Sequence, residues 1–312
     1  MADARRIAVI VNPRAAGGRT ARVWKSLRSQ MESRLGPLEA WETRAPGQAT
    51  ELARGALERG CRTVIAVGGD GTISDVVNGF FEDDRPIAAG AALGILPQGS
   101  SSDLRRSLGL PLEEEVALEI LRRGRIRSID LMRVRFRTAE GRSGQRYGIN
   151  VTSFGMGGAV AARFNRLPKW LGGRLSFQLA TFSEMLRFRG RRVALRLDDG
   201  ESQEFTISNI AVGNAQFHGG GMWVCPRAAV DDGQLDLTVF RRFTLWELWR
   251  DLDYLYNGKV YDHPKVSFHR AARVTATAEE PTFIEVDGEP VGQLPLEITV
   301  LPRALPVYVP PA

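Results

Sequence analysis

The sequence predicts an open, mostly parallel α/β domain followed by an antiparallel β-sandwich with helical inserts. Over about the first 125 residues, apolar strand-like runs alternate with amphipathic stretches of helical period, the pattern of βα units. Three of those runs end in loops of small residues. From Ile129 onward, short β-like runs separated by turn residues replace the alternation. The boundary therefore falls near residue 125, with an α/β domain over 1–125 and a β-rich domain over 126–312.

Ile7 to Val11 reads as the first strand and runs into Asn12-Pro13-Arg14-Ala15-Ala16-Gly17-Gly18-Arg19. Val23, Leu27, Met31 and Leu35 then recur at four-residue spacing, which marks a helix. Leu38 to Thr43 is a second strand, and Leu52, Ala53, Ala56 and Leu57 mark a second helix. Val64 to Val67 is an apolar run of the buried parallel kind. It leads into Gly68-Gly69-Asp70-Gly71-Thr72 and a helix whose Ile73, Val76, Val77 and Phe80 fall on one stripe, with Thr72 or Ser74 as its cap. Ala92 to Leu96 is a fourth strand entering Pro97-Gln98-Gly99-Ser100-Ser101-Ser102-Asp103. Leu104 and Leu108 read as a short helix closed by Gly109 and Pro111, and Glu113 to Arg123 as another.

In the second half the β-like runs are Ile129 to Phe136, Tyr147 to Thr152, Arg192 to Leu197 and Phe205 to Val212. Leu235 to Phe240, Val274 to Ala278, Phe283 to Val286 and Leu296 to Leu301 follow. Helical inserts are expected at Arg163 to Phe188 and Leu245 to Asn257. The Pro-rich tail after Leu305 can pack back on the first domain or stay with the second.

The 312 residues suit two domains, and 43% hydrophobic with 25% charged residues is a soluble globular composition. Lys+Arg exceed Asp+Glu, 42 against 36, and the pI is near 9.7. Such a surplus favours nucleotides, acidic lipid surfaces or nucleic acid without choosing among them. Cys61 and Cys225 form no CxxC pair, which argues against a disulfide framework and for a reducing cytosol. The apolar run after Arg5-Arg6 stops at Asn12-Pro13, too short for a signal peptide, and no stretch is long enough to span a bilayer.

Glycines at the Asp70 loop let backbone N–H groups approach an anion, and the helix start adds favourable partial charge. A carboxylate there suits a phosphate only with Mg²⁺ between them, or a hydroxyl awaiting phosphorylation; otherwise it serves an ordinary turn. The Asn12 loop, with Arg14 and Arg19, has no Gly-Lys-Ser/Thr and is not a P-loop. The Ser100-Ser101-Ser102-Asp103 loop offers hydroxyls to phosphate or ribose, or simply caps a helix. Three such loops at the carboxyl ends of strands of one sheet outline a polar cleft. In the second domain, His218-Gly219-Gly220-Gly221 and Asp231-Asp232-Gly233-Gln234 read as turns, or as an oxygen-only Mg²⁺ site around Asp232. Val286-Asp287-Gly288-Glu289-Pro290 is a β-turn or the seat of a general base. Three histidines without HExxH argue against zinc, and no G-x-S-x-G supports a hydrolase.

Taken in order, Asn12-Pro13, Gly68-Gly69-Asp70-Gly71-Thr72, Leu96-Pro97-Gln98-Gly99-Ser100, Gly219-Gly220-Gly221, Asp232-Gly233 and Asp287-Gly288-Glu289 resemble the bacterial soluble diacylglycerol kinase and sphingosine kinase family over nearly the whole chain. The resemblance implies γ-phosphoryl transfer from ATP to a lipid hydroxyl, diacylglycerol-like or sphingoid. By that likeness Asn12, Pro13, Arg14, Ala15, Ala16, Thr43, Gly68, Gly69, Asp70, Gly71, Thr72, Ile73, Ser74 and Ser100 line the nucleotide site. Asp232 with the carbonyls of Ala229 and Gln234 holds Mg²⁺, and Asp70, Asp287 and Glu289 carry the catalysis, one of the last two as base. It also implies a cytoplasmic protein, peripheral at the inner membrane face, without nucleic acid and with room for a homodimer. The chain departs where Gly99-Ser100-Ser101-Ser102-Asp103 replaces the usual Gly-Thr-Gly-Asn-Asp, and where Ala15-Ala16 replaces Ser-Gly. NAD kinase-like chemistry and a non-catalytic nucleotide or anionic-lipid module are the alternatives. Arg163 to Phe177, which interleaves basic and apolar residues, is an interfacial lid or an ordinary insert.

Overall fold

The computed structural model describes residues 6–99, 102–164, 183–184 and 190–311. They form two compact units, Met1–Ile129 with Arg303–Ala312, and Asp130–Pro302. Most of the insert expected at Arg163 to Phe188, and Ser100 and Ser101, lie outside the described residues.

In the first unit β1 (Ile7–Val11), α1 (Ala15–Leu35), β2 (Leu38–Glu42), α2 (Gln48–Glu58), β3 (Thr63–Gly68) and α3 (Asp70–Asn78) follow one another. A small hairpin, β4 (Phe81–Glu82) with β5 (Arg85–Pro86), precedes β6 (Ala92–Pro97), α4 (Asp103–Leu108) and α5 (Glu114–Arg123). β1, β3 and β6 are buried along their whole length, as their uninterrupted apolar runs require of strands covered on both faces. They pair in parallel in the order β6-β3-β1-β2. In α1, Ala16, Gly17 and Gly18 have positive φ, so regular helix begins after them, and Trp24 rather than Val23 joins Leu27 and Met31 in the core. α2 and α3 approach so closely that a Cβ on Gly79 would lie 2.4 Å from the Thr50 carbonyl oxygen.

The second unit continues with β7 (Arg125–Arg137), β8 (Ser143–Gly148), β9 (Val151–Gly155), α6 (Met156–Phe164), β10 (Arg191–Leu197) and β11 (Gln203–Gly213). Then come β12 (Phe217–His218), β13 (Met222–Trp223), β14 (Leu235–Arg241) and α7 (Leu245–Arg250). The last strands are β15 (Val266–Ala271), β16 (Arg273–Thr277), β17 (Phe283–Val286) and β18 (Glu289–Val309). Pairing is antiparallel throughout β15-β14-β11-β10-β16-β18, with β9 joining β11 to β17. Inward residues alternate along β10 (Val193, Leu195) and β16 (Val274, Ala276), and they meet Leu235, Leu237, Val239 and Ile298 in one core.

The structure adds strands that the sequence pattern does not mark, among them β15 and the hairpin of β12 and β13, and it departs from the expectation elsewhere. The run expected from Tyr147 to Thr152 is broken at Ile149-Asn150, whose backbone N–H groups turn to a side chain instead of a ladder. The helix expected over Leu245 to Asn257 ends at Arg250 and continues as a 3-10 turn at Leu252–Leu255. The Pro-rich tail is strand: the last residues of β18 return to the first unit, where Val307 pairs with Leu93 of β6 and Tyr308 Oη lies 3.2 Å from Thr63 Oγ1.

Candidate functional site

The expected residues form one cluster in the first unit and two acidic turns in the second. In the first, β1, β3 and β6 deliver their loops at the same end of the parallel sheet, as parallel pairing dictates. Asn12 links two of these loops: its Nδ2 donates to Thr72 Oγ1 at 3.0 Å, while its Oδ1 accepts the Arg14 N–H at 3.0 Å. Thr72 therefore serves Asn12, and the residue at the α3 N-cap is Gly69, without a side-chain cap. Three consecutive left-handed residues, Ala16 (φ 51°), Gly17 (φ 66°) and Gly18 (φ 87°), shape the Asn12 loop. Successive backbone amides in such a curve make an anion-binding concavity. Thr43 extends β2, its N–H donating to the Val11 carbonyl at 2.8 Å.

Gly69 and Gly99 touch backbone to backbone, for a Cβ on Gly99 would lie 2.6 Å from the Gly69 Cα. At Gly99 only glycine admits that approach, whereas a Cβ on Gly69 would lie 3.2 Å from the Gly99 Cα, a tight but less severe contact. Asp70 completes the junction: its carboxylate accepts the N–H groups of Asp103 at 3.1 Å and Leu104 at 3.4 Å. Asp70 thus caps α4 from a different element. Ser102, at the α4 N-cap position with φ 50°, makes no side-chain cap and instead donates to the Gly99 carbonyl at 3.2 Å. Ile73 and Ser74 are buried in α3, placing them behind the loop rather than on its surface.

In the second unit the Asp287-Gly288 turn joins β17 to β18 with φ 52° and 88°, the left-handed pair of a tight hairpin. Asp287 is 8% exposed. Its Oδ2 accepts the Ile149 N–H at 3.1 Å and its Oδ1 the Asn150 N–H at 2.9 Å. Those bonds explain the break between β8 and β9. Glu289 is exposed at the start of β18. Glu285, two residues before Asp287, is 1% exposed; its Oε2 accepts the Gly288 N–H at 2.5 Å. Burial pushes the Glu285 carboxyl up, with the His218 charge opposing and the Asp287 charge adding.

Asp232 bends its own loop, Oδ1 accepting the Gln234 N–H at 3.0 Å, and its Oδ2 pairs with the Arg270 guanidinium. Arg270 also holds Asp236 Oδ1 at 3.0 Å through Nε. Burial pushes the Asp236 carboxyl up to about 6 against that pull from Arg270. An oxygen-only set at Asp232, Ala229 and Gln234 has the donor chemistry of a hard cation. Arg270, however, already supplies a positive charge to that carboxylate.

A buried chain of hydrogen bonds connects the two acidic turns. Gly233 N donates to Asp130 Oδ2 at 2.7 Å, and Asn214 Nδ2 donates to the carbonyls of Asp130 and Ile149, both at 2.9 Å. Ile149 in turn donates to Asp287. Sequence reasoning missed Asp130, Asn150, Asn214, Glu285 and Arg270. The available signal was a polar side chain at the end of, or within, an apolar β run, as at Asp130, Asn214 and Glu285.

The diacylglycerol kinase catalytic domain matches residues 6–134, and the YegS C-terminal NAD kinase beta sandwich-like domain matches residues 150–309. A YegS-like protein named a probable lipid kinase, from Chromohalobacter salexigens, is 32% identical over 272 residues, 85% of this chain and 81% of that one. A diacylglycerol kinase from Mycobacterium tuberculosis is 30% identical over 84% of this chain and 81% of its own. In structure, a diacylglycerol kinase from Bacillus anthracis superposes with TM-score 0.68 at 19% identity, covering 98% of this chain and 97% of that one. Yeast NADH kinase complexed with NADH superposes with TM-score 0.55 at 11% identity, over 98% of this chain and 84% of its own; both likenesses are of fold alone. By its two matched domains and its relatives, the chain belongs to the diacylglycerol kinase-like family of lipid kinases.

Proposed function

We propose that the chain transfers the γ-phosphoryl group of ATP to the hydroxyl of a lipid bearing long apolar tails. The observation that carries this reading is the junction at Gly69 and Gly99, where glycine loops following β3 and β6 meet and Asn12 ties in the loop after β1. Phosphoryl transfer asks for positioned backbone donors and charge compensation more than for covalent chemistry. Asn12 to Ala16, Thr43, Gly68 to Thr72 and Ser100 would bind the nucleotide, with Ile73 and Ser74 supporting the loop from within α3. Asp70 would keep the loops at their spacing, since its carboxylate is engaged by Asp103 and Leu104.

Asp287 is the stronger base candidate of the two. Its carboxylate is held by two backbone N–H groups, whereas Glu289 is exposed. A base fixed in place loses no orientational freedom when it meets the lipid hydroxyl and takes its proton. Mg²⁺, when bound, would neutralise phosphate charge; at Asp232, Ala229 and Gln234 it would have to share Asp232 with Arg270. A lipid acceptor places the protein transiently at the inner membrane face. Trp246 and Trp249, 62% and 67% exposed, are side chains of the amphipathic type suited to a headgroup layer.

The test incubates the protein with labelled ATP, Mg²⁺ and a panel of diacylglycerol, ceramide, sphingoid base and NAD, and identifies products by mass spectrometry. A phosphorylated lipid is expected. Phosphorylated NAD with no lipid product would replace this reading by the nucleotide-kinase one, and no product at all would leave a binding module.

A further inference from the structure

The Asp287 turn and the hairpin of β12 and β13 are joined by a pair of titratable side chains that the reaction itself does not use. His218 Nε2 lies 3.3 Å from Glu285 Oε1; the histidine side chain is 19% exposed and the glutamate 1%. That separation is an ion-pair contact, and the Ser153 hydroxyl faces the same carboxyl across the β9–β17 pair. The other oxygen, Oε2, accepts the Gly288 N–H inside the turn. A second bridge runs alongside, with Asn150 giving its backbone N–H to Asp287 and its Nδ2 to the Phe217 carbonyl at 2.9 Å. A carboxylate this buried is costly unless a positive charge accompanies it.

Among the described residues, the groups facing Glu285 are few. Across the β9–β17 pair it meets Ser153, and β9 carries no ionisable side chain. On α6 the ionisable residue is Arg163, at the far end and paired with Glu184 at 3.2 Å. β8 carries Arg146 and Tyr147, the turn carries Asp287, and β18 begins with Glu289. His218 and Asp287 are the charges that act on Glu285, in opposite directions.

We propose that His218 and Glu285 together position Asp287, clamping the Asp287-Gly288 turn to the glycine hairpin and keeping one proton between them so that no uncompensated negative charge lies behind Asp287. The inference rests on Asp287 being the base of the proposed reaction. No group is transferred. Burial pushes the Glu285 carboxyl up, and once pH rises far enough to ionise it without a charged partner it becomes a bare buried carboxylate beside Asp287, which repels Asp287 and loosens the turn. The rate therefore falls on the alkaline side of that titration.

The test compares the full-length parent with His218→Gln, Glu285→Gln, the double variant and Asp287→Asn, each first confirmed folded by circular dichroism and thermal melting. The single His218→Gln leaves Glu285 uncompensated, so kcat is expected to fall about tenfold to a hundredfold, less than the contribution of a base itself, with the ATP KM within about twofold. The double variant replaces the ion pair by two amides that can bond each other and Gly288. Its kcat is expected to recover most of that loss, the non-additive signature of a charge pair, and its alkaline fall is expected to vanish. Equal losses in the single and double variants, or an alkaline limb unchanged in both, would overturn the inference. The Gly288 amide resonance, followed by NMR against pH, gives a readout without turnover. It is expected to titrate in the parent and to lose that step in Glu285→Gln; the same response in both would also overturn the pairing. Full turnover in Asp287→Asn would remove Asp287 as base while leaving the amide titration to judge the clamp.

Discussion

Asp70 and Asp287 share one habit. Each is a carboxylate whose two oxygens face backbone N–H groups of a different loop, Asp103-Leu104 in one case and Ile149-Asn150 in the other. Such bonds are charge-assisted and satisfy donors that their own secondary structure leaves open. Replacing Asp70 by Asn keeps one acceptor but turns an amide N–H₂ toward the other donor. We expect Asp70→Asn to cost about 1–2 kcal/mol of stability and to lower the melting temperature by several degrees. ATP affinity, measured by calorimetry, should fall in parallel. Lost ATP affinity with an unchanged melting curve would show that Asp70 meets Mg·ATP directly and that its capping contributes nothing. None of this was legible in the sequence, where Asp70 reads as a loop carboxylate because its partners lie 33 and 34 residues downstream. Local pattern finds a residue type at a helix start; it does not find which helix that residue caps.

Strands and helices were legible where a strong period coincided with burial. The runs of β1, β3 and β6, and the Ile73, Val76, Val77 stripe of α3, appear in the structure where their apolar pattern places them. The pattern failed where polar bonding overrode it, as at Ile149-Asn150, where apolar neighbours conceal two N–H groups diverted to Asp287. It also left open which domain the tail after Leu305 joins, although Leu305, Val307 and Val309 are buried in β18. The Gly69–Gly99 contact is a property of two elements at once. Gly99→Ala would place a methyl group 2.6 Å from the Gly69 Cα, so the loops after β3 and β6 must separate. We expect ATP affinity to fall at least tenfold in Gly99→Ala, with a smaller loss of stability, measured by calorimetry and chemical denaturation. By contrast Gly17→Ala meets no atom within 4 Å but carries the strain of φ 66°, so its cost should appear as backbone strain of about 1 kcal/mol without a packing clash. Equal effects of the two substitutions on ATP affinity would remove the close approach as the reason for Gly99.

Across the whole chain, the first unit is interrupted. It stops at Ile129, the second unit occupies Asp130–Pro302, and Arg303–Ala312 returns to the first. The returning segment is no ornament, since Leu305 and Val307 are fully buried and β18 lies next to β6 in the parallel sheet. Without it β6 would present a row of unpaired N–H and C=O groups, the usual template for misassociation. A chain cut after Pro302 is expected to yield mostly aggregated protein on expression, and monodisperse protein from that truncation would show that β6 tolerates an open edge. For a protein made from its N-terminus, the arrangement imposes an order of events. The residues of the glycine loops leave the ribosome before the second unit, yet the sheet that presents them gains the segment Arg303–Ala312 only after the whole second unit. A finished first-unit sheet therefore certifies that the entire second unit has been translated.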